Sequence, residues 1–363
     1  MYPGLRTLAD PSLWFQGFAF ITGFAHQAVL VFFLISGWLV GGSLLNKVGQ
    51  PGALTSYAID RVTRLWTVLI PTFFLTLVFG FASGVLQWGV LDFSATNEFS
   101  AASFAGNLFG LQGIVLDDFG GNYALWSLAN ETWYYTMFPL LVFLFTAPRR
   151  SLRFACGAAL ALAVVGLPAA IVMYFAVWLL GVAFSRIRID CGAGVRWAWL
   201  VPLLAASAYF RLTADNDRFD QATLGIDLLL GLMFLCLLSS LRFRAAPTSL
   251  LARPLARTGK FFADFSFSLY VLHLPLIFLL KPLVLSELGR AKLSPSEPVH
   301  FAIYLGMLTL LLLGAYLSAL LFEARTYRIR RLVKGLITRR HVRLALPVQP
   351  PNTNRSDGTA ESR

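Results

Sequence analysis

Charged side chains are scarce in this sequence. They make up 13% of its 363 residues, whereas hydrophobic residues make up 57%. Soluble globular domains contain about 25% charged residues, so this composition excludes an ordinary soluble fold. Alternating segments of about ten residues, which an outer-membrane barrel requires, are also missing. Because the apolar runs far exceed the roughly 10 to 14 residues of a buried core helix, the sequence predicts an all-α polytopic integral membrane helical bundle.

Cysteine and histidine are also rare: the sequence contains three cysteines and four histidines. Cys156, Cys191 and Cys236 are isolated, with no C-x-x-C pair and no histidine at the spacing of a metal site. The sequence therefore predicts neither a disulfide framework nor a metal centre. A G-x-S-x-G elbow is absent too, so nothing indicates a serine hydrolase.

A window of about 20 residues, the length that crosses the hydrocarbon core, predicts nine spans. They lie at 28–45, 66–86, 128–146, 153–168, 170–186, 196–211, 222–241, 262–280 and 300–322. Pro168 alone marks the turn between the fourth and fifth spans. This divides the chain into an extracytoplasmic segment (1–26), a transmembrane domain (27–323) and a basic tail (324–363). After about 345 the tail is rich in polar residues and proline, and we expect it to be disordered.

The net charge of +12 has an uneven distribution across the predicted spans. On one side lie 24 of the 30 Lys and Arg residues, including Arg61, Arg149, Arg257 and Arg331. The positive-inside rule makes this side cytoplasmic, together with the C-terminus. The loop 87–127 contains no Lys or Arg and faces outward. Topology thus explains the basic charge, and no nucleic-acid partner is expected.

Two arginines stand at the predicted cytoplasmic start of the second span. Arg61 and Arg64 are three residues apart and therefore lie on one helical face. A pair of guanidinium groups there suits a phosphate or pyrophosphate group presented from the cytoplasm. The alternative is that both side chains snorkel and only anchor the span.

Ionisable groups inside a membrane cost about 2.5 to 3.5 kcal/mol on insertion scales, so each is a candidate for function. Glu131, next to Asn130 at the predicted outer end of the third span, either positions or deprotonates a hydroxyl, or caps or salt-bridges a neighbouring helix. His273 in the eighth span is either functional or satisfied by one interhelical hydrogen bond. His26 opens the first span at an interface where histidine is tolerated cheaply, and Glu323 is interpreted as an end-of-span charge.

Four motifs occur in a recognisable order. They are F-F-x-x-S-G ending at Gly37, R-x-x-R at Arg61 to Arg64, W-S-L-x-x-E ending at Glu131, and S-x-Y-x-x-H-x-P containing His273. Ser36 and Gly37 in the first motif are expected to permit close helix contact rather than nucleophilic chemistry. Together, over about 25 to 330, these stretches resemble the integral-membrane acyltransferase type 3 family, whose members O-acylate polysaccharides, lipopolysaccharide and other acceptors.

The resemblance implies a chemistry. Members of that family are thought to move an acyl group, commonly acetyl, from cytoplasmic acyl-CoA to a hydroxyl, often on the outer side. It implies a multi-pass protein of a bacterial-type inner membrane, with acyl-CoA and a carbohydrate or lipid-linked acceptor as partners besides the bilayer. Arg61 and Arg64 would bind the CoA phosphates, and Glu131 and His273 would be catalytic.

The chain departs from the family pattern at its start. The family has ten spans, and its first carries an Arg and a His about ten residues apart, a pair that this sequence does not contain. Residues 1–26 must also begin outside, yet show no cleavable signal peptide. We therefore expect an additional span encoded upstream of Met1. The alternatives left open are a transporter or flippase-like protein and an inactive acyltransferase relative.

Overall fold

The computed structural model describes residues 2, 10–86, 97–213, 219–241, 252–289 and 292–345. Within these ranges every extended regular element is a helix, and strand-like pairing is limited to the isolated bridge between Gln112 and Leu116. The prediction of an all-α membrane helical protein is confirmed. The predicted disorder after about 345 lies outside the described residues.

The described ranges contain fourteen α-helices in chain order. They are α1 (Leu13–Thr22), α2 (Ala25–Ser36), α3 (Gly42–Leu45), α4 (Ala53–Ala82), α5 (Ala101–Leu108), α6 (Trp126–Thr146), α7 (Arg150–Gly166), α8 (Ala169–Phe184), α9 (Ala193–Thr213), α10 (Gln221–Leu241), α11 (Ala252–Ala263), α12 (Ser266–Glu287), α13 (Pro298–Leu321) and α14 (Thr326–Ala345). Each of the nine predicted spans overlaps at least one of these helices.

Five helical stretches are long and apolar enough to cross a membrane. They are Leu13–Leu45, Ala53–Ala82, Gln221–Leu241, Ser266–Glu287 and Pro298–Ile337, and α8 is a shorter apolar helix. The first stretch begins well before the predicted residue 28, because α1 and α2 follow one another with only Gly23 and Phe24 between them. The predicted turn at Pro168 is confirmed, since this proline directly precedes α8.

A close helix crossing fixes the position of α2 against α8. A β-carbon added to Gly37 would lie 2.0 Å from the carbonyl oxygen of Trp178, and one added to Gly181 would lie 2.1 Å from that of Leu34. Only glycine allows such an approach. Gly37 opens the π-helical turn Gly37–Gly41 that joins α2 to α3. The expectation of close helix contact at this position is confirmed.

The core is aromatic and lies where α2, α6 and α8 meet. Phe33, Tyr134 and Trp178 are fully buried there, and the Tyr134 ring lies 5.5 Å from that of Phe33 and 6.1 Å from that of Trp178. Such ring pairs stabilise a core beyond the area that they bury. This packing holds three of the helices that carry the polar residues described next.

Candidate active site

Glu131 lies on α6 and is 5% exposed. Its Oε1 accepts a hydrogen bond of 2.6 Å from Ser36 Oγ on α2 and another from the hydroxyl of Tyr135. Trp178 Nε1 on α8 donates in turn to Ser36 Oγ, at 3.1 Å. Both hydroxyl groups donate to the same carboxylate oxygen, Oε1, and no described residue donates to Oε2. The carboxylate is thus held in one orientation with a second oxygen available to accept a proton.

Arg61 lies beside this carboxylate. Its guanidinium carbon is 5.6 Å from the ring centroid of Tyr135 and 5.9 Å from that of Tyr57. The Tyr57 hydroxyl donates to the carbonyl oxygen of Tyr135 at 3.2 Å, which fixes the Tyr57 ring, and the hydrogen bond to Glu131 fixes the Tyr135 ring. Arg61 Nε is buried and has no hydrogen-bond partner among the described residues. Arg61 and Glu131 therefore share Tyr135 as a neighbour, and a buried N–H of Arg61 lacks an acceptor.

Arg64 has different surroundings. Its Nη1 lies 3.1 Å from Oε1 of Glu323, and its guanidinium stands 5.0 Å from the ring centroid of Phe267. Oε2 of Glu323 accepts hydrogen bonds from Ser268 N at 3.0 Å and Ser268 Oγ at 2.8 Å. Glu323 follows the end of α13, as expected of an end-of-span charge. It is also buried, and it connects α4 to the start of α12.

His273 lies half-buried on α12. Its Nδ1 donates to the carbonyl oxygen of Tyr270 at 2.6 Å, which leaves Nε2 as the proton-accepting nitrogen of the neutral ring. The Tyr270 hydroxyl donates to the carbonyl of Ala124 at 2.7 Å and lies 2.6 Å from Ser127 Oγ. His273 and Glu131 do not contact each other. Ser127 precedes Glu131 by four residues and shares its face of α6, and Tyr270 connects Ser127 to α12, which carries His273.

A family model matches most of the chain. The model describes an acyltransferase domain and covers residues 4–322. This chain belongs to the acyltransferase type 3 family. Comparison with curated proteins and with solved structures gave no match. The matched region contains Arg61, Arg64, Glu131 and His273, so the predicted site residues of this acyltransferase all lie in its family domain.

A second buried polar cluster in the acyltransferase surrounds His26. Its Nε2 lies 2.8 Å from Asp227 Oδ1, and the Tyr174 hydroxyl donates to Asp227 Oδ2 at 2.5 Å. The imidazole stacks on Phe219 with ring centroids 4.0 Å apart. Placing His26 at a permissive interface was wrong, because it is 1% exposed and paired. The buried acid on α10 supplies the partner that the imidazole needs.

The side chains predicted to hold a cofactor, Arg61 and Arg64, are cationic. Within the described ranges, no three His, Cys, Asp or Glu side chains group together to hold a metal ion. Arg61 offers an unpartnered donor, whereas Arg64 is held by Glu323. Of the two predicted arginines, Arg61 is therefore the one with a buried donor that lacks an acceptor among the described residues.

The segment before α6 carries three acidic residues, Glu98, Asp117 and Asp118. Asn122 Nδ2 donates to the carbonyl of Val271 at 2.8 Å, which fixes the loop to α12. Burial, followed by the charges of Asp117 and Glu98, raises the pKa of Asp118 to about 6, and Asp118 Oδ1 is buried without a partner among the described residues. Burial and Asp117 raise the pKa of Glu98 as well. This end of the bundle therefore gains negative charge as the pH rises toward neutrality.

The substitution Asp118→Asn should stabilise the protein at high pH. A carboxyl whose folded-state pKa of about 6 exceeds its ordinary value of 3.8 favours folding at low pH, and this contribution is lost as the pH rises through about 6. The amide of the variant stays neutral, so we expect a thermal midpoint about 2 to 4 °C higher at about pH 8 and no difference near pH 4. Thermal unfolding in detergent measures this. An equal difference at both pH values would contradict the assignment.

Proposed function

We propose that this acyltransferase moves an acyl group, most simply acetyl, from cytoplasmic acyl-CoA to a hydroxyl of an extracytoplasmic carbohydrate or lipid-linked acceptor. The observation that carries the proposal is the shared environment of Arg61 and Glu131 around Tyr135. It brings an anion-binding group next to a proton acceptor inside the family domain. The protein acts in an inner membrane, with its C-terminus in the cytoplasm.

The proposed reaction needs one base and one positioned donor. Glu131 takes the proton of the acceptor hydroxyl, whose oxygen then attacks the thioester carbonyl. The carbon–sulfur bond breaks, CoA leaves as a thiolate that takes up a proton, and the acceptor becomes an ester. His273 Nε2 accepts a hydrogen bond from the acceptor and orients it. Because a thioester is already activated, positioning and proton transfer are sufficient.

The predicted outer end of the bundle offers room for an acceptor. A cavity of about 450 Å³ lies between α4, the loop before α6 and α12, and its wall includes Glu98, Gly121, Phe278 and Lys281. Ligand sites commonly have this size and combine apolar walls with a few polar groups. Gly121 has φ of +67°, and its missing side chain leaves the Glu98 carboxylate accessible. A hydroxyl-bearing, lipid-linked acceptor fits such walls.

Sealed membrane vesicles test both the reaction and its sidedness. Acetyl-CoA labelled in the acetyl group does not cross membranes, so inside-out vesicles should incorporate base-labile label and right-side-out vesicles should not. Vesicles with the His273→Ala protein should incorporate at least about tenfold less, since the hydrogen bond that Nε2 accepts is lost. Label incorporated only by right-side-out vesicles would overturn the topology. Absence of label with CoA binding retained would indicate an inactive relative.

A further inference from the structure

Three cations surround one buried carboxylate at the predicted cytoplasmic end. Asp60 Oδ1 lies 2.6 Å from Lys334 Nζ and 3.9 Å from Arg330 Nη1, and Asp60 Oδ2 lies 3.7 Å from Lys47 Nζ. We call these four residues the Asp60 cluster. The Asp60 side chain is 10% exposed, whereas the three cationic side chains are 33 to 38% exposed. The cluster thus has partly exposed cationic side chains around a nearly buried carboxylate, and it carries an excess of two positive charges.

Distant parts of the chain build the cluster. Lys47 follows α3, Asp60 belongs to α4, and Arg330 and Lys334 are one turn apart on α14. Lys334 also reaches Ser56 Oγ at 2.8 Å, which fixes α14 against the first turn of α4. The fold therefore gathers like charges from two segments around the carboxylate of a third, although such charges repel one another.

One carboxylate does not neutralise three cations. Asp60 holds them in place, and the excess charge favours a multiply charged anion on their solvent side. The location identifies the anion. Asp60 and Arg61 are consecutive, with α-carbons about 3.8 Å apart, and Arg61 Nε lacks a partner among the described residues. Consecutive residues of a helix point about 100° apart. The cluster, on the α14 side of α4, and the guanidinium to which we assign donor binding, on the α6 side, therefore lie at the same level of the bundle on adjoining faces of α4.

We propose that the Asp60 cluster binds the 3′-phosphate of the CoA portion of the donor, while Arg61 contacts its pyrophosphate. The inference rests on the proposed function and adds a second donor subsite to it. A terminal phosphate is dianionic and accepts several charge-assisted hydrogen bonds, which suits point-charge lysines together with one arginine.

Two donors that differ only in the 3′-phosphate provide the test. The probes are acetyl-CoA and acetyl-dephospho-CoA, supplied to inside-out vesicles of the full chain. We expect kcat/KM to be at least about tenfold higher for acetyl-CoA, the range for one lost charge-assisted contact. Lys334→Gln and Arg330→Gln should lower kcat/KM for acetyl-CoA only, which removes this preference. Arg61→Gln should lower kcat/KM for both donors alike.

The controls separate this subsite from general charge effects. Arg331→Gln removes an equal charge from α14, but its side chain is exposed and lies over Tyr327, so the donor preference should persist. Lys47→Gln is the second test variant if Lys334→Gln does not insert, because Lys47 lies outside the helices. Equal use of both donors by the unmodified protein would overturn the subsite alone. Failure to use either donor would overturn the proposed function as well.

Discussion

Replacing Glu131 with Gln should lower kcat for acyl transfer by at least about 100-fold, the lower end of what a positioned base contributes. Gln keeps the size of the side chain and its Oε1, which can still accept from Ser36 Oγ and Tyr135. The amide cannot take a proton, so the acceptor hydroxyl would have to attack without a base. Initial rates with saturating acetyl-CoA and inside-out vesicles measure the change.

Ser36→Ala is the matched control for this carboxylate. It removes one donor to Oε1 and leaves Trp178 Nε1 without its acceptor, but it keeps the base. We expect a moderate loss of about tenfold in kcat, in line with one neutral hydrogen bond. If Glu131→Gln and Ser36→Ala cost the same, Glu131 acts as a structural partner rather than as the base.

Hydropathy predicted the helices well because a membrane span needs a long apolar run, which is a local property. Pro168 was a weaker signal: it directly precedes α8, but Pro71 and Pro139 lie inside helices. The start of the first span was harder to predict. The apolar stretch from Leu13 was too short to count alone, and the structure continues it directly into α2.

The polar pairs were not predictable from local sequence. His26 and Asp227 are 201 residues apart, and Arg64 and Glu323 are 259 apart. The cost of a buried charge indicates that each needs a partner, but nothing in one sequence indicates which. Tyr135 is the one partner of Glu131 that the sequence spacing could have predicted. It follows Glu131 by four residues and therefore shares its helical face.

Replacing Arg61 with Lys should lower kcat/KM for acyl-CoA by about 10- to 100-fold while membrane insertion persists. The ammonium keeps the charge, so an anchoring role would survive. It loses the planar group that lies near Tyr57 and Tyr135 and the Nε–H that lacks an acceptor among the described residues. A donor titration of transfer rates in inside-out vesicles measures this loss. Unchanged kcat/KM would leave snorkelling as the better account of Arg61.

Variants of Arg64 distinguish a role in donor binding from a role in folding. Arg61 and Arg64 lie on the same helix, but only Arg64 forms an ion pair with Glu323. Arg64→Gln and Glu323→Gln each break the same ion pair, so both should lower stability by about 1 kcal/mol or more, and Glu323→Gln also disturbs the hydrogen bonds from Ser268. Neither variant should change the KM for acyl-CoA as Arg61→Lys does, since the Arg64 guanidinium is already paired with Glu323. A KM increase for Arg64→Gln without a matching one for Glu323→Gln would instead show that Arg64 releases Glu323 to bind the donor. In that case the R-x-x-R spacing would act as the two-arginine phosphate site that the sequence suggested.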